Sequence, residues 1–272
     1  MSSYATRGAT SSARQRRLSE LADVIYAEGP IRVDELAERF ELSAMTIYRD
    51  IAELEQAGVV QLDRGQVSAA TSSLNESSTE FRLSHNTTAK AALCAAAAAH
   101  LRRGMTVMLD DSTTTLRLVD AMTGLTPITV VTNSHMVLRA VSRVAGLDLV
   151  VAGGRYRAVT ESFYGSTTVA ALRGLSADVC VISAAAIDGG VCYHPYEECV
   201  DVKRAMLASA RKRVLLADSS KFGRRALYVA CPVDDFDVVI VDDRVPPAVL
   251  ADLAERDAEL VVVPMAPPTP SV

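Results

Sequence analysis

The segment from residue 33 to residue 65 constrains the fold of this chain more than any other stretch of its sequence. Apolar residues recur at helical spacing over residues 34–40 and again over residues 47–54. Residues 41–42 leave room only for a turn between the two runs, and Ser43 is a suitable N-cap for the second helix. The pattern predicts a helix–turn–helix unit.

The outward face of the second helix suits contact with double-stranded DNA. At 100° per residue, Ile47 and Ile51 face inward and Arg49 points away from them. An α-helix fits the DNA major groove, where an arginine pairs with guanine or with a phosphate. The residues predicted to contact DNA from this helix and its N-cap are Ser43, Met45, Thr46, Tyr48, Arg49 and Gln56. In the alternative, the helix–turn–helix does not bind DNA and Arg49 is simply a solvated residue.

A hairpin is predicted directly after this helix. Short runs at residues 59–62 and 66–69 flank a turn signal at residues 63–65, so the two runs are expected to pair as strands. Such a hairpin is called a wing. Arg64 at its tip is placed to touch the DNA backbone or the minor groove.

Overall charge gives the predicted DNA contact little support. The chain has a formal net charge of −5, so long-range attraction to a polyanion does not favour DNA. Affinity has to come from local arginines and from a dimer that doubles the contacts. Arg14 and Arg17 are predicted to contribute from an amphipathic helix over residues 14–28.

Length and composition predict two domains. The chain has 272 residues, 49% of them hydrophobic, which is enough for two packed cores. Its apolar runs are too short to span a bilayer, and its five cysteines are typical of reduced thiols in a cytoplasm. The predicted segments are a disordered N-terminus (1–13), a winged helix–turn–helix domain (14–69), a linker (70–79), an effector-sensing oligomerisation domain (80–264) and a disordered tail (265–272).

From residue 106 onward, short apolar runs alternate with helical segments. Strands are predicted over residues 106–109, 128–131, 147–151, 179–183, 214–217, 238–241 and 260–263. All-apolar strands that alternate with helices are typical of an α/β layered domain with a mainly parallel sheet. Because ligands bind at the carboxyl ends of the strands in such sheets, the polar residues that follow these strands form the candidate site.

Five polar clusters follow the predicted strands. Hydroxyl and N–H groups at a helix start bind phosphate oxygens, carboxylates accept hydrogen bonds from sugar hydroxyls, and lysines clamp a phosphate. The predicted effector-binding residues are Asp110, Asp111, Ser112, Thr113, Thr114, Thr132, Asn133, Ser134, Gly153, Gly154, Asp188, Lys203, Asp218 and Lys221. The alternatives are ordinary helix N-caps for the hydroxyl-bearing residues, turns for the glycines and solvated charges for the lysines.

Both halves of the chain resemble one known family. The helix–turn–helix residues resemble the signature of the DeoR family of bacterial transcription regulators in the segments Leu36-Ala37-Glu38-Arg39-Phe40 and Thr46-Ile47-Tyr48-Arg49-Asp50-Ile51. Tyr48 stands where the family usually has arginine, and the wing turn lacks the family's common His-Gly-Gly. The polar clusters resemble the family's effector domain, with Ser112 in place of a glycine. The departures at Tyr48 and in the wing turn bear on which operator sequence is read.

The resemblance implies a fold and a set of partners. The effector domain would be similar to ribose-5-phosphate isomerase and glucosamine-6-phosphate deaminase, and the effector would be a phosphorylated sugar or a related metabolite. The chain would be a cytoplasmic DNA-binding regulator, expected to be a repressor, that binds a double-stranded operator as a homodimer or homotetramer. It would need no membrane, cofactor or metal, and it would have no catalytic residues.

Two other functions stay open from the sequence. One is a sugar-phosphate isomerase or deaminase with an accessory helix–turn–helix, in which Asp110 or Asp188 would be the base. The other is an interaction module whose winged helix binds protein. A metal site at Cys192, His194 and Cys199 is disfavoured because their spacing fits no usual zinc pattern.

Overall fold

A computed structural model describes residues 3–70 and 77–265 of the chain. Its Cα positions divide the chain into an N-terminal unit, Met1–Thr87, and a C-terminal unit, Thr88–Val272. None of the described helices is both long and apolar enough to cross a membrane. Except for Met265, the predicted disordered tail lies outside the described residues.

The N-terminal unit combines helices with a small antiparallel sheet. Its helices are α1 (Ser3–Glu28), α2 (Val33–Arg39), α3 (Ala44–Gln56) and α4 (Thr79–Ser84). Its strands are β1 (Ile31–Arg32), β2 (Val60–Asp63) and β3 (Gln66–Ala69), in the order β1-β3-β2. These elements bury one mainly aliphatic core, which includes Leu21, Ile25, Leu36, Ile51 and Val67. The predicted winged helix–turn–helix fold is therefore confirmed.

The ends of α3 follow from two local signals. The Ser43 side chain accepts a hydrogen bond from the N–H of Thr46 at 3.2 Å, which confirms the predicted N-cap. Gly58 follows the helix at a φ of 72°. This left-handed conformation, which suits glycine, lets the N–H of Val59 bond to the carbonyl of Leu54 at 2.8 Å and so ends the helix.

The wing is a two-residue hairpin. Asp63 pairs with Gln66, and the two residues between them, Arg64 and Gly65, have φ values of 48° and 76°. A type I′ turn requires positive φ at both central positions, and its twist matches that of the paired strands. The turn directs Arg64 outward, and 94% of its side chain is exposed.

Helix α1 starts earlier than the sequence predicted. The backbone is helical from Ser3, within the segment 1–13 that was expected to be disordered. Residues 5, 9 and 13 are alanines, which have the highest helix propensity. Each residue that extends an existing helix adds a hydrogen bond without a new nucleation step. The helix can therefore continue through residues that show no apolar periodicity.

Helix α4 belongs to the N-terminal unit, although the sequence assigned residues from 80 onward to the effector domain. Phe81 packs against the core of the N-terminal unit. The ring of His85 stacks on Phe81 at 4.8 Å, and its Nδ1 lies 2.8 Å from Oγ of Ser19 on α1. The division between the units therefore falls after Thr87. Residues 71–76 of the predicted linker lie outside the described residues.

The C-terminal unit alternates strands and helices as predicted. Its strands are β4 (Thr106–Leu109), β5 (Ile128–Thr132), β6 (Leu147–Val151), β7 (Arg155–Arg157), β8 (Ser162–Tyr164), β9 (Ala177–Ser183), β10 (Ala186–Asp188), β11 (Val191–His194), β12 (Ala210–Ala217), β13 (Tyr228–Pro232), β14 (Val238–Asp242) and β15 (Glu259–Val263). Its α-helices are α5 (Thr87–Ala98), α6 (Leu118–Met122), α7 (His135–Val141), α8 (Ser166–Arg173), α9 (Glu197–Ala208) and α10 (Pro247–Ala254). Short 3-10 turns cover Thr115–Arg117, Thr123–Leu125, Ser219–Lys221 and Val233–Asp235.

Seven strands form one parallel sheet in the order β15-β14-β12-β9-β4-β5-β6. All seven strands predicted from the sequence lie in it. Both faces are covered: Val179 and Val181 of β9 pack with α5, α6 and α7, and Cys180 and Ile182 pack with α8, α9 and α10. Burial on both faces explains why these strands are apolar throughout.

Several smaller elements were not predicted. Strands β7 and β8 form a hairpin, strands β10, β11 and β13 form a three-stranded sheet, and α8 covers Ser166–Arg173. The strands are three to five residues long and interrupted by charged or polar residues, so they lack the continuous apolar run that marks the main sheet. Strand β12 also begins at Ala210 rather than 214, because its polar first half pairs with β9.

Candidate functional site

Helix α3 presents the face that the sequence predicted. Ile47, Ile51 and Leu54 are buried in the core of the N-terminal unit, and Met45 is 70% exposed. Also exposed are Ser43, Tyr48, Arg49, Ala52 and Gln56, whereas Thr46 is half-buried, with its hydroxyl 2.9 Å from that of Ser43. A helix with one buried stripe and an opposite exposed arginine can lie in a major groove.

The wing turn lies beside α3. A Cβ atom at Gly65 would be 3.7 Å from the hydroxyl of Tyr48, so the tyrosine reaches the turn. The wing tip at Arg64 is therefore next to Tyr48 of α3, and Met45 and Arg49 are exposed on the same helix. We call these four residues the α3–wing surface.

Arg14 and Arg17 are placed differently from the prediction. Arg17 donates to the buried carboxylate of Asp50 from Nε at 2.6 Å and from Nη2 at 3.2 Å. Arg14 lies 3.6 Å from the same carboxylate and forms an ion pair with Glu53. A buried carboxylate needs such partners, so these arginines fasten α1 to α3 instead of standing clear for DNA. The hydrogen bond to Asp50 raises the pKa of Arg17.

The polar clusters of the C-terminal unit lie mostly on the C-terminal rim, the side of the main sheet where its parallel strands end. Asp110 follows β4, which lies between β5 and β9 in the sheet. One oxygen of this buried carboxylate accepts from the N–H of Ser112 at 3.1 Å and the hydroxyl of Thr115 at 2.7 Å. The other accepts from the N–H of Ser183 at 3.0 Å.

Lys203 of α9 is the charged partner of Asp110. Its Nζ donates to the Asp110 carboxylate and to the carbonyl of Ser183, the latter at 3.0 Å, and lies 3.7 Å from Asp111. Burial alone would lower the pKa of Lys203, but Asp110 and Asp111 outweigh burial and raise it. Lys203 is therefore a buried ammonium engaged by carboxylates, and not the open phosphate clamp that the sequence predicted.

Tyr164 of β8 is a site residue that the sequence analysis missed. Its hydroxyl donates to the Asp111 carboxylate. Burial raises the pKa of Tyr164 and the charge of Asp111 raises it further, so the hydroxyl keeps its proton. This bond joins the loop after β4 to the β7–β8 hairpin. No local pattern marks Tyr164, because its hairpin was not predicted.

Lys90 of α5 is the second residue that the sequence analysis did not include in the site. Its buried Nζ donates to the hydroxyl of Thr113 at 3.1 Å. The thiol of Cys94, one turn along α5, donates to the carbonyl of Thr114 at 3.1 Å, and burial raises the pKa of that thiol to about 12. The loop after β4 thus contacts α5, which places the ammonium group of Lys90 beside it.

The serines at the strand ends act as helix caps. Oγ of Ser112 accepts from the N–H of Thr115 at 3.0 Å, and Oγ of Ser134 accepts from the N–H of Val137 at 3.4 Å. Thr132 accepts from the N–H of Ser134 at 3.0 Å. The N-cap alternative is therefore realised for both serines. Asn133, which lies between Thr132 and Ser134, has a different environment.

Asn133 is buried between β5 and the β7–β8 hairpin. Its Nδ2 donates to the carbonyl of Phe163 at 2.9 Å. Its Oδ1 is buried and has no hydrogen-bond partner among the described residues. The nearby glycines have a packing role: a Cβ at Gly154 would overlap the Thr168 hydroxyl and come within 2.6 Å of the Tyr164 carbonyl. Gly153 accepts from that hydroxyl at 2.9 Å.

Asp188, Asp218 and Lys221 form a separate group. Asp188 of β10 forms an ion pair with Arg225 at 2.6 Å. Asp218 accepts from the N–H of Ser220 at 3.1 Å and caps the 3-10 turn that contains Lys221. The two segments meet at the bridge between Ile187 and Phe222. The hydrogen bonds described above link Asp110, Asp111 and Lys203, but none of them reaches this group.

All five cysteines are buried free thiols. Over residues 3–70 and 77–265, no three histidine, cysteine, aspartate or glutamate side chains are grouped so that they would hold a metal ion.

A winged helix–turn–helix unit joined to an α/β unit with polar strand ends defines a transcriptional regulator with a sensor domain. The profile of the DeoR-like helix-turn-helix domain matches residues 17–73, and that of the DeoR C terminal sensor domain matches residues 85–243. The chain belongs to the DeoR family of transcriptional regulators. The resemblance seen in the sequence is confirmed.

Named relatives agree with this assignment along nearly the whole chain. The chain is 31% identical over 242 residues to an uncharacterized HTH-type transcriptional regulator of Escherichia coli K12, YgbI, covering 89% of this chain and 95% of that protein. It is 26% identical to the glycerol-3-phosphate regulon repressor of the same strain, covering 90% and 97%. Ribose 5-phosphate isomerase A from Methanocaldococcus jannaschii aligns over 49% of this chain and 53% of that chain, with 15% identity and a TM-score of 0.37.

Proposed function

We propose that this regulator is a repressor that binds its operator through the α3–wing surface and that a phosphorylated sugar-type metabolite controls the binding. The observation that carries the proposal is the exposure of Arg49 and its neighbours on a helix whose opposite side is fully buried. Ser43, Thr46 and Gln56 border the same surface. Arg14 and Arg17 support the helix from behind through Asp50.

A dimeric operator complex follows from the small number of cations on this surface. Arg49 and Arg64 are its only basic residues, and the chain as a whole is acidic. Two copies on a two-fold operator double the phosphate and base contacts of one copy. We therefore propose a homodimer or homotetramer that acts in the cytoplasm.

The effector site of this proposal is the loop after β4. Thr113 and Thr114 are buried beside Lys90, and an ammonium group next to hydroxyls suits a phosphate. Lys203 contributes indirectly, because it neutralises Asp110 and so removes a carboxylate charge that would repel an anion. The glycerol-3-phosphate regulon repressor supports the choice of a phosphorylated polyol or sugar by its name.

The partners of Asp110 and Asp188 favour a regulator over an enzyme. Both oxygens of Asp110 accept hydrogen bonds, and one of them also faces Lys203. Asp188 is paired with Arg225. A general base needs a carboxylate within reach of the substrate proton, and neither candidate is held ready for that role.

The test of DNA binding is a mobility-shift titration of the full chain on the DNA upstream of its own coding region. Arg49→Ala should weaken specific binding about 10- to 100-fold, since one arginine contact to a base is worth roughly 1–3 kcal/mol. Arg173→Ala, an exposed arginine of α8, is the matched control and should bind like the wild type. Equal affinities for all three proteins would contradict the proposal.

The test of the effector site is calorimetric titration with inorganic phosphate and with ribose 5-phosphate. Lys90→Met should abolish measurable binding of both, because the ligand phosphate loses its buried counter-charge. Thermal unfolding of the variant checks that the fold is intact. Unchanged binding by a folded Lys90→Met protein would place the phosphate elsewhere.

A further inference from the structure

Three buried polar atoms lie along one contact between two segments of the C-terminal unit. They are Oδ1 of Asn133, Nδ1 of His135 and Oγ1 of Thr160, and none has a hydrogen-bond partner in the described part of the chain. Buried polar groups in folded proteins are almost always hydrogen-bonded, so three in one place require an explanation.

Backbone hydrogen bonds join the two segments that carry the three atoms. The N–H of His135 donates to the carbonyl of Glu161, and the N–H of Phe163 donates to the carbonyl of Asn133, both at 2.9 Å. Ser134 and Ser162 form a bridge between these two bonds. We call this contact, between residues 133–135 and residues 160–163, the hairpin seam. Poor packing of the segments therefore does not explain the unpartnered side-chain atoms.

The donor and acceptor chemistry of the seam suits neutral hydroxyl groups. Oδ1 of Asn133 is an amide oxygen and can only accept, and the bond from Nδ2 to the carbonyl of Phe163 fixes the orientation of the amide. The Thr160 hydroxyl both donates and accepts, and a neutral histidine nitrogen does one or the other. The carboxylate of Glu161 lies 3.8 Å from Nδ1 of His135 and would repel a phosphate. A ligand hydroxyl both donates and accepts, so it satisfies each of these groups.

We propose that the hairpin seam is the hydroxyl-recognition subsite of the sensor domain and that its ligand is a phosphorylated polyol or sugar. The inference rests on the proposed function and deepens it. The phosphate lies at Thr113 and Lys90, and the hydroxyl-bearing carbons extend toward Asn133 and Thr160. The seam thus sets specificity, whereas the loop after β4 supplies the common anchor.

Two contacts join the subsite to the loop after β4. Leu109 and Thr132 are paired residues of neighbouring strands, so the segments that start at Asp110 and Asn133 leave the sheet side by side. The Tyr164 hydroxyl, one residue beyond the seam, donates to Asp111 of the loop. A ligand that bridges loop and seam would therefore also bear on the position of the β7–β8 hairpin.

The experiment compares affinities of the full chain for inorganic phosphate and for two hydroxylated phosphates, ribose 5-phosphate and glucose 6-phosphate. Wild-type protein should bind at least one of the hydroxylated ligands roughly tenfold more tightly than inorganic phosphate, the worth of one good hydrogen bond. Thr160→Val and Asn133→Ala should each remove most of that advantage. Their affinity for inorganic phosphate should stay within twofold of wild type.

Thr160→Val is the sharper of the two variants. It is nearly isosteric, and it removes a hydroxyl that bonds to no described residue, so the melting temperature without ligand should be unchanged or higher. Thr167→Val, on the exposed face of α8, is the matched control and should change neither affinity.

Three results would overturn the inference. The first is that neither hydroxylated ligand binds wild type more tightly than inorganic phosphate does. The second is that Thr160→Val and Asn133→Ala both keep the full difference in affinity between the hydroxylated ligands and inorganic phosphate. In the third, Thr160→Val lowers the melting temperature and keeps the affinity, which would mean that ordered water satisfies the hydroxyl. Failure of the proposed effector site is distinct from these, because it would show as phosphate binding that survives Lys90→Met.

Discussion

Asp50 in the N-terminal unit and Asp110 in the C-terminal unit are both almost completely buried, but their basic partners differ in exposure. The side chain of Arg17, which binds Asp50, is 27% exposed, whereas that of Lys203, which binds Asp110, is 5% exposed. Asp50 has a second cation nearby in Arg14. Asp110 has backbone and hydroxyl donors instead.

The comparison shows how each unit uses its cations. In the N-terminal unit the arginines of α1 hold α3 in place, and the cations that we propose for DNA are Arg49 and Arg64. In the C-terminal unit Lys203 pairs with Asp110, and the cation that we propose for the phosphate of a ligand is Lys90. In both units, a cation predicted to bind a partner directly instead supports the element for which we propose that role.

The largest loss in the free energy of unfolding is expected from Lys203→Met. The substitution leaves the Asp110 carboxylate buried without its cation, and breaking a buried ion pair in this way typically costs about 3–5 kcal/mol. Chemical denaturation should show that loss for the C-terminal unit. Adding Asp110→Asn to the same chain should recover part of it, because residue 110 then carries no charge that needs a cation. A loss below that of Arg17→Met would contradict the comparison.

A smaller effect is expected from Arg17→Met. Asp50 would keep Arg14 at 3.6 Å, so the cost is that of hydrogen bonds to a charged group, roughly 1.5–3 kcal/mol. The same denaturation experiment measures it. The double variant Arg14→Met with Arg17→Met removes both cations and should approach the cost of Lys203→Met. If the double variant cost no more than the single one, Arg14 would not be acting as the second cation.

The smallest effect is expected from the exposed pair of Arg213 and Asp237, bonded at 3.1 Å. Burial would raise the pKa of Asp237, but hydrogen bonds from Arg213 outweigh it and lower the pKa. A carboxylate with a lowered pKa stabilises the fold above the pKa of its unfolded state, about 3.9, and loses this contribution as the pH falls through the folded value.

Arg213→Met should therefore cost about 0.2–1 kcal/mol at pH 7, the usual worth of an exposed ion pair. The difference from wild type should disappear as the pH is lowered below about 4. Denaturation at pH 7 and pH 3 measures both values. If the stability difference between Arg213→Met and wild type grew on acidification, the pKa of Asp237 would not be lowered by Arg213.

The sequence predicted the features of this fold that depend on neighbouring residues. The face of α3 follows from helical spacing, its first residue follows from the Ser43 N-cap, and the main strands follow from continuous apolar runs. Each of these signals lies within one or two turns of the chain. The positions of Asp110 and Asn133 at strand ends followed in turn from the predicted strands.

The partners of the charged residues could not be predicted in this way. Lys203 meets Asp110 across 93 positions of sequence, and Tyr164 meets Asp111 across 53. The first contact depends on how α9 packs against the sheet, and the second depends on the β7–β8 hairpin, which has no continuous apolar pattern. Arg14 and Arg17 were predicted to contact DNA because charge alone does not reveal that a buried Asp50 lies between them.

The most direct test of the central claim is a DNA-binding titration of the full chain on its own upstream DNA, with and without ribose 5-phosphate or glucose 6-phosphate. We expect Arg49→Ala to bind this DNA about 10- to 100-fold more weakly than wild type in the absence of ligand. We also expect a sugar phosphate to release wild-type protein from the DNA and to leave Lys90→Met bound. Specific binding of Arg49→Ala with wild-type affinity, or release of Lys90→Met at the same ligand concentration as wild type, would contradict the proposal.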